Sequence, residues 1–150
     1  MSSMGTILVV EDNPTEMLLL KRAWQRANVP NPLQWVLDGV EAISYLNGEG
    51  KWADRREFPL PVLVLLDLKL PLVSGFDVLQ WVRRQPKLNT LRVVMFSSSD
   101  EPRDINRAYE LGSNSYSVKP LHFEDLVRLV EVLNQHWLGV SRQPLCGDRN

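Results

Sequence analysis

Short runs of consecutive apolar residues alternate along this chain with longer stretches in which apolar residues recur every three or four positions. Ile7 to Val10, Val62 to Leu66 and Val93 to Phe96 are wholly apolar, as expected of strands covered on both faces in a parallel sheet. Leu33 to Leu37 and Ser115 to Val118 read as two further strands. Between the first two runs, Met17, Leu20, Trp24 and Ala27 fall at helical spacing behind a start signal. Asn13 can cap that helix, Pro14 suits its first turn, and Glu16 stands three residues after the cap as a capping-box partner. Asp38 and Gly39 precede a short helix ending near Asn47 and Gly48, Gly75 opens one that runs to about Arg84, Pro102 and Gly112 bracket a fourth, and Phe123 to Trp137 is the last. Gly48 to Pro61 is polar, with Trp52 and Phe58 as its large apolar residues, and reads as a long loop.

Strict alternation of this kind predicts an α/β fold, a doubly wound five-stranded parallel sheet with five helices on its two faces. For five such strands the order 2-1-3-4-5 is the usual one, a known arrangement that the pattern alone does not dictate. Ligands of such sheets gather at the strand C-termini. The residues placed there are Glu11 and Asp12, then Asp67, Ser97 and Lys119.

The totals narrow the partners. A chain of 150 residues is the size of one domain, taken here as residues 6–137, and 138–150 (with Gly139, Pro144 and Gly147) reads as a tail too short for an appended output domain. Seventeen Lys and Arg against eighteen Asp and Glu leave no basic excess to drive binding to nucleic acid. Cys146 is the only cysteine, which excludes an internal disulfide and a thiolate metal cage and fits a reducing cytoplasm. With no leader-like start and no apolar stretch long enough for a membrane span, a cytoplasmic protein is expected.

If the first, third, fourth and fifth strands are neighbours, three carboxylates, a hydroxyl and an ammonium converge. Clustered carboxylates repel unless a cation joins them, and an all-oxygen, partly hydrated site suits Mg²⁺. Asp12 and Asp67 would hold it directly and Glu11 through water. Asp67 could then attack phosphorus as a nucleophile, with Lys119 and Ser97 directed at developing negative charge. One acidic strand end alone is as readily a helix cap or a solvated loop; the coincidence of four strand ends sets this chain apart.

These residues carry a resemblance. Glu11-Asp12-Asn13-Pro14, the run from Asp67 to Gly75 (Asp67-Leu68-Lys69-Leu70-Pro71-Leu72-Val73-Ser74-Gly75), Ser97-Ser98 and Lys119-Pro120 resemble, in order, the motifs of response-regulator receiver domains. The resemblance spans about Thr6 to Trp137 and implies a flavodoxin-like receiver fold, phosphorylation of Asp67 by a histidine kinase, and Mg²⁺ bound by Asp12, Asp67 and the carbonyl of Lys69. It also implies a switch pair, Ser97 and Tyr116, that remodels the face of the fourth helix, fifth strand and fifth helix, and a homodimer through that face. The long loop before Val62 is similar to that of small regulators that partner bacterial phytochromes, especially in cyanobacteria, which implies a phytochrome-type kinase. A lysine at position 69 departs from the uncharged or acidic residue frequent there, and is expected to alter the lifetime of the phosphorylated state. Ser99 occupies a variable position.

The last helix carries a stripe of Leu126, Val130, Leu133 and Trp137, with Leu129 and Val132 outside it as apolar surface for a partner. Trp52, beside Arg55, Arg56 and Phe58, either contacts a partner kinase or pins its own loop. For Tyr116, packing without switching stands beside the switch role. His122 and His136 read as solvated or capping residues. Three other functions compete. A flavodoxin-like cofactor binder needs a phosphate loop where Glu11 and Asp12 stand. An aspartyl phosphatase needs a second aspartate where Lys69 stands. A receiver-shaped module that is never phosphorylated would have no use for the site chemistry.

Overall fold

A computed structural model describes residues 4–138. The strands β1 (Ile7–Val10), β2 (Leu33–Val36), β3 (Leu63–Leu66), β4 (Val93–Ser97) and β5 (Ser115–Val118) form one sheet in the order β2-β1-β3-β4-β5. Every pairing is parallel. β1 is joined on both sides, with Val10 level with Val36 and Leu66. All residues of β1 and β3 are buried, as two-sided coverage requires.

Alternate residues of the strands feed two separate cores. Ile7, Val9, Leu63, Leu65 and Val94 point to one side, where they meet Met17, Leu20 and Trp24 of α1 (Pro14–Arg26) and Leu126, Val127, Val130 and Leu133 of α5 (Phe123–Leu133). Leu8, Val10, Val64, Leu66 and Met95 point to the other. There α2 (Gly39–Asn47), α3 (Gly75–Arg84) and α4 (Pro102–Glu110) contribute Tyr45, Leu79, Val82 and Ala108. Period-two alternation thus fills both layers from one set of short strands.

Local signals match their roles with instructive exceptions. The Asn13 side chain accepts hydrogen bonds from the Thr15 and Glu16 N–H groups at 2.9 and 3.1 Å, so it is the cap. Glu16 does not complete a capping box: the Asn13 N–H donates instead to Glu11 Oε2 at 3.0 Å, leaving Glu16 to engage elsewhere. A full box does form at α3, where Ser74 and Asp77 exchange bonds. β2 stops at Val36, with Leu37 half exposed, and β3 starts at Leu63. The α-helix of the last segment ends at Leu133 and continues as a wider π-type turn, Asn134–Leu138.

The loop after α2 is built inward. It holds one 3-10 turn, Gly50–Trp52, and buries Trp52 against Tyr45 and Phe58 at ring-centroid distances of 5.2 and 4.9 Å. Arg55 donates to the Leu46 and Phe58 carbonyls and Tyr45 to that of Pro59. Trp52 therefore pins its own loop. Leu129, expected as spare surface, packs partly against the core, whereas Val132 is exposed. Of the expected tail, only Leu138 lies among the described residues. No helix among them is long and apolar enough to cross a membrane.

Candidate functional site

The C-terminal ends of β1, β3, β4 and β5 meet at one edge of the sheet, and the expected residues meet there. Glu11, Asp12 and Asp67 each offer a carboxylate oxygen within 4.8 Å of the others. Glu11 and Asp67 are buried and Asp12 is exposed, so the cluster has two walls and an open mouth. Three hard oxygen donors this close, with a solvent-facing side, fit a divalent cation of the Mg²⁺ class.

Lys119, one residue past β5, crosses into this cluster. Its Nζ donates to Glu11 Oε1 at 2.7 Å, to Asp67 Oδ2 at 2.9 Å and to Glu16 Oε1 at 2.5 Å. Burial by itself would lower the Lys119 pKa, but hydrogen bonds to Glu11, Glu16 and Asp67 outweigh it and hold the ammonium above the usual lysine range. Burial raises Glu11 above the ordinary carboxylate range, against the opposing pull of Lys119. The cation is thus held in its charged form beside the Asp67 carboxylate, as a compact point charge.

Backbone groups position Asp67. Asp67 Oδ1 accepts from the Lys69 N–H at 3.2 Å, which brings the Lys69 peptide onto the same turn as the carboxylate. Gly75, at the start of α3, lies so close that a Cβ there would be 2.2 Å from the Asp67 carbonyl oxygen. Leu72, between them, is exposed and has φ +71°, a left-handed conformation unusual for leucine. On the β1 side, Trp35 Nε1 donates to the Glu11 carbonyl at 2.7 Å.

Ser97 and Tyr116 are linked through a residue the sequence reading left without a role. Ser97 is fully buried and its Oγ accepts from the Ser99 N–H at 3.2 Å. The Ser99 carbonyl accepts from the Tyr116 hydroxyl at 2.9 Å, and Ser99 Oγ donates to Asp104 Oδ2 on α4 at 2.6 Å. Ser99 therefore joins the end of β4, the first turn of α4 and the ring on β5. The other unforeseen participant is Glu16. Its position in the first turn of α1 carried the only hint, since that turn follows directly on Glu11 and Asp12.

Comparison with known proteins agrees with this geometry. Residues 7–131 match the family model described as the response regulator receiver domain. The chain is 41% identical over 141 residues to the probable methanogenesis regulatory protein FilR2 of Methanothrix harundinacea, covering 92% of this chain and 86% of that one. It is 31% identical over 138 residues to the response regulator Rcp1 of a Synechocystis strain, covering 92% of each. The solved structure of a phosphorylated cyanobacterial phytochrome response regulator, RcpA, superposes with a TM-score of 0.85 at 34% identity, over 95% of this chain and 99% of that one. The Mn²⁺-bound form of Rcp1 does so with a TM-score of 0.81 at 30% identity, over 93% and 99%.

Proposed function

The chain belongs to the response-regulator receiver family, and from that premise we propose that Asp67 accepts a phosphoryl group from a histidine kinase and converts it into a change of protein surface. The observation that carries this reading is the Lys119 ammonium 2.9 Å from Asp67 Oδ2, in a cluster with Glu11 and Asp12. An Asp67 carboxylate oxygen attacks phosphorus, the bond from phosphorus to the donor nitrogen breaks, and its electron pair leaves on the imidazole. Lys119 and Ser97 offer donors to the oxygens of the transferred group. Mg²⁺ would be held by Asp12, Asp67 and the Lys69 carbonyl, with Glu11 through water, and would offset charge on the phosphoryl oxygens. Lys69, on the turn beside the acceptor, would tune how long the acyl phosphate lasts. A phytochrome-type kinase is the favoured donor because the phytochrome response regulator RcpA and the bacteriophytochrome response regulator AtBRR are similar to this chain over nearly their whole lengths. The single cysteine suits action in the cytoplasm.

Incubation with acetyl phosphate and Mg²⁺, read by intact mass, tests the acceptor. A gain of one phosphoryl group is expected, lost in Asp67→Asn and on chelation of the metal. Steady phosphate release from unrelated monoesters would instead indicate a phosphatase, and no gain from acetyl phosphate or any histidine kinase an inert module.

The signal leaves through α4, β5 and α5. A Ser97 hydroxyl drawn to the phosphoryl group gives up the Ser99 N–H, and Ser99 also holds Tyr116 and Asp104. Phosphate thereby favours one of two packings of that face. Tyr109, Val118 and Val132 are exposed apolar residues on these three elements, and they would seat a second copy of the chain. Sedimentation should show a dimer; a monomer at high concentration, both free and with beryllofluoride, would refute it.

A further inference from the structure

We infer that Glu16 is a built-in competitor for the phosphoryl group: its carboxylate occupies the Lys119 proton that an incoming phosphoryl oxygen must take. The inference rests on Asp67 as the phosphoryl acceptor and concerns how that site is held before it is filled.

An ammonium has three protons, and Lys119 directs all three at carboxylates, those of Glu11, Asp67 and Glu16. A phosphoryl oxygen can enter this arrangement only by displacing one of them. The three partners are not equally easy to displace. The Glu11 and Asp67 side chains are 6% and 9% exposed, so a carboxylate released there stays in a poorly solvated place. That of Glu16 is 44% exposed and returns to water when it lets go. A cavity of about 230 Å³, lined in part by Glu16, Lys119, Leu19 and Leu121, opens beside the pair and leaves the side chain room to move. Asp67 must also remain near Lys119, because it carries the new group.

Charge points the same way. Glu16 adds a third carboxylate around one ammonium, against a ligand that is itself an anion. The contact therefore opposes filling of the site twice, by using a donor and by repulsion. It costs nothing in the fold of α1, since the cap uses the Glu16 backbone N–H and the Asn13 side chain. The same carboxylate gives the ammonium a solvent-side partner in the resting state, which keeps Lys119 inside the cluster when no phosphoryl group is present.

The test compares the full chain with Glu16→Ala and Glu16→Gln by calorimetric titration with beryllofluoride, a phosphoryl stand-in, at saturating Mg²⁺. Glu16→Ala should bind about two- to fivefold more tightly, the equivalent of a partly exposed ion pair. Glu16→Gln, which keeps an acceptor oxygen without the charge, should fall between. A second readout needs no metal: acylation of Lys119 by an amine reagent, followed by peptide mass, should be faster in Glu16→Ala. Binding by the wild type with unchanged or weaker binding by Glu16→Ala overturns the competitor role alone. No binding by the wild type overturns the acceptor site and this inference together.

Discussion

Replacing Lys119 by Met is expected to destabilise the metal-free protein at neutral pH by about 3 kcal/mol, in the range for breaking a buried ion pair, and to abolish phosphorylation of Asp67. The side chain is 13% exposed and is the cation shared by Glu11 and Asp67, which are buried and within 4.8 Å of each other. Without it, two carboxylates face each other in a poorly solvated site. The loss should depend on pH in a defined direction. Glu11 already has a raised pKa from burial, and removing Lys119 raises it further. A raised carboxyl pKa leaves stability intact below the unfolded glutamate value and removes it as pH rises through the folded value. Wild type and variant should therefore converge in acid and separate toward neutrality. Mg²⁺ should stabilise the variant more than the wild type, because it restores positive charge to the same oxygens. Urea denaturation at acid and neutral pH, with and without Mg²⁺, measures the stabilities, and intact mass after incubation with acetyl phosphate reads the phosphorylation. Equal stability of the two metal-free proteins at neutral pH would show that Lys119 does not balance the cluster.

Adding one carbon to Gly75 should disable the acceptor without unfolding the protein. The Cβ of Gly75→Ala would lie 2.2 Å from the Asp67 carbonyl oxygen and 2.8 Å from Leu68 Cα. Both are backbone atoms, so no side-chain rotation relieves the overlap. Either α3 withdraws or the Asp67 segment moves. Overpacking of this kind costs about 1 to 3 kcal/mol, of which the better helix propensity of alanine returns up to about 1 kcal/mol. A shift of the acceptor by about 1 Å can cost about a hundredfold in rate. The expected result is a far-UV spectrum close to wild type, a modest loss in denaturation midpoint, and phosphorylation from acetyl phosphate slowed about a hundredfold. Unchanged kinetics would mean that the approach of α3 to Asp67 does not position the carboxylate.

Much of the site was legible because it is written at strand ends. A short apolar run that ends in an acid or a hydroxyl marks both the strand and its C-terminal edge, which is why the placement of Asp67 and Ser97 was readable without a structure. Glu16 was not. Its spacing from Asn13 fits a capping box, but Glu11 reaches the Asn13 N–H instead, and Glu16 turns to Lys119. Local spacing lists the partners a side chain could take; it does not say which wins. Gly75 was legible as a helix start but not as a steric requirement, because the contact is with the turn that carries Asp67. Leu129 was read as spare surface because helical spacing assumes one buried stripe, whereas the core reaches past that stripe in α5.

By itself the sequence determined the doubly wound α/β architecture and the set of groups at the strand ends, since both follow from local periodicity and from the residue type that closes each strand. The tertiary structure alone decided how those groups are used. The bonds from Lys119 to Glu11 and Asp67 span 108 and 52 positions. Pairing of β1 with β3, β3 with β4 and β4 with β5 is what brings those groups together, and no local pattern encodes it. Which oxygen each proton then meets is set by competition among neighbours for a limited number of donors. Glu16 at Lys119, and Ser99 between Ser97 and Tyr116, are the outcomes of that competition.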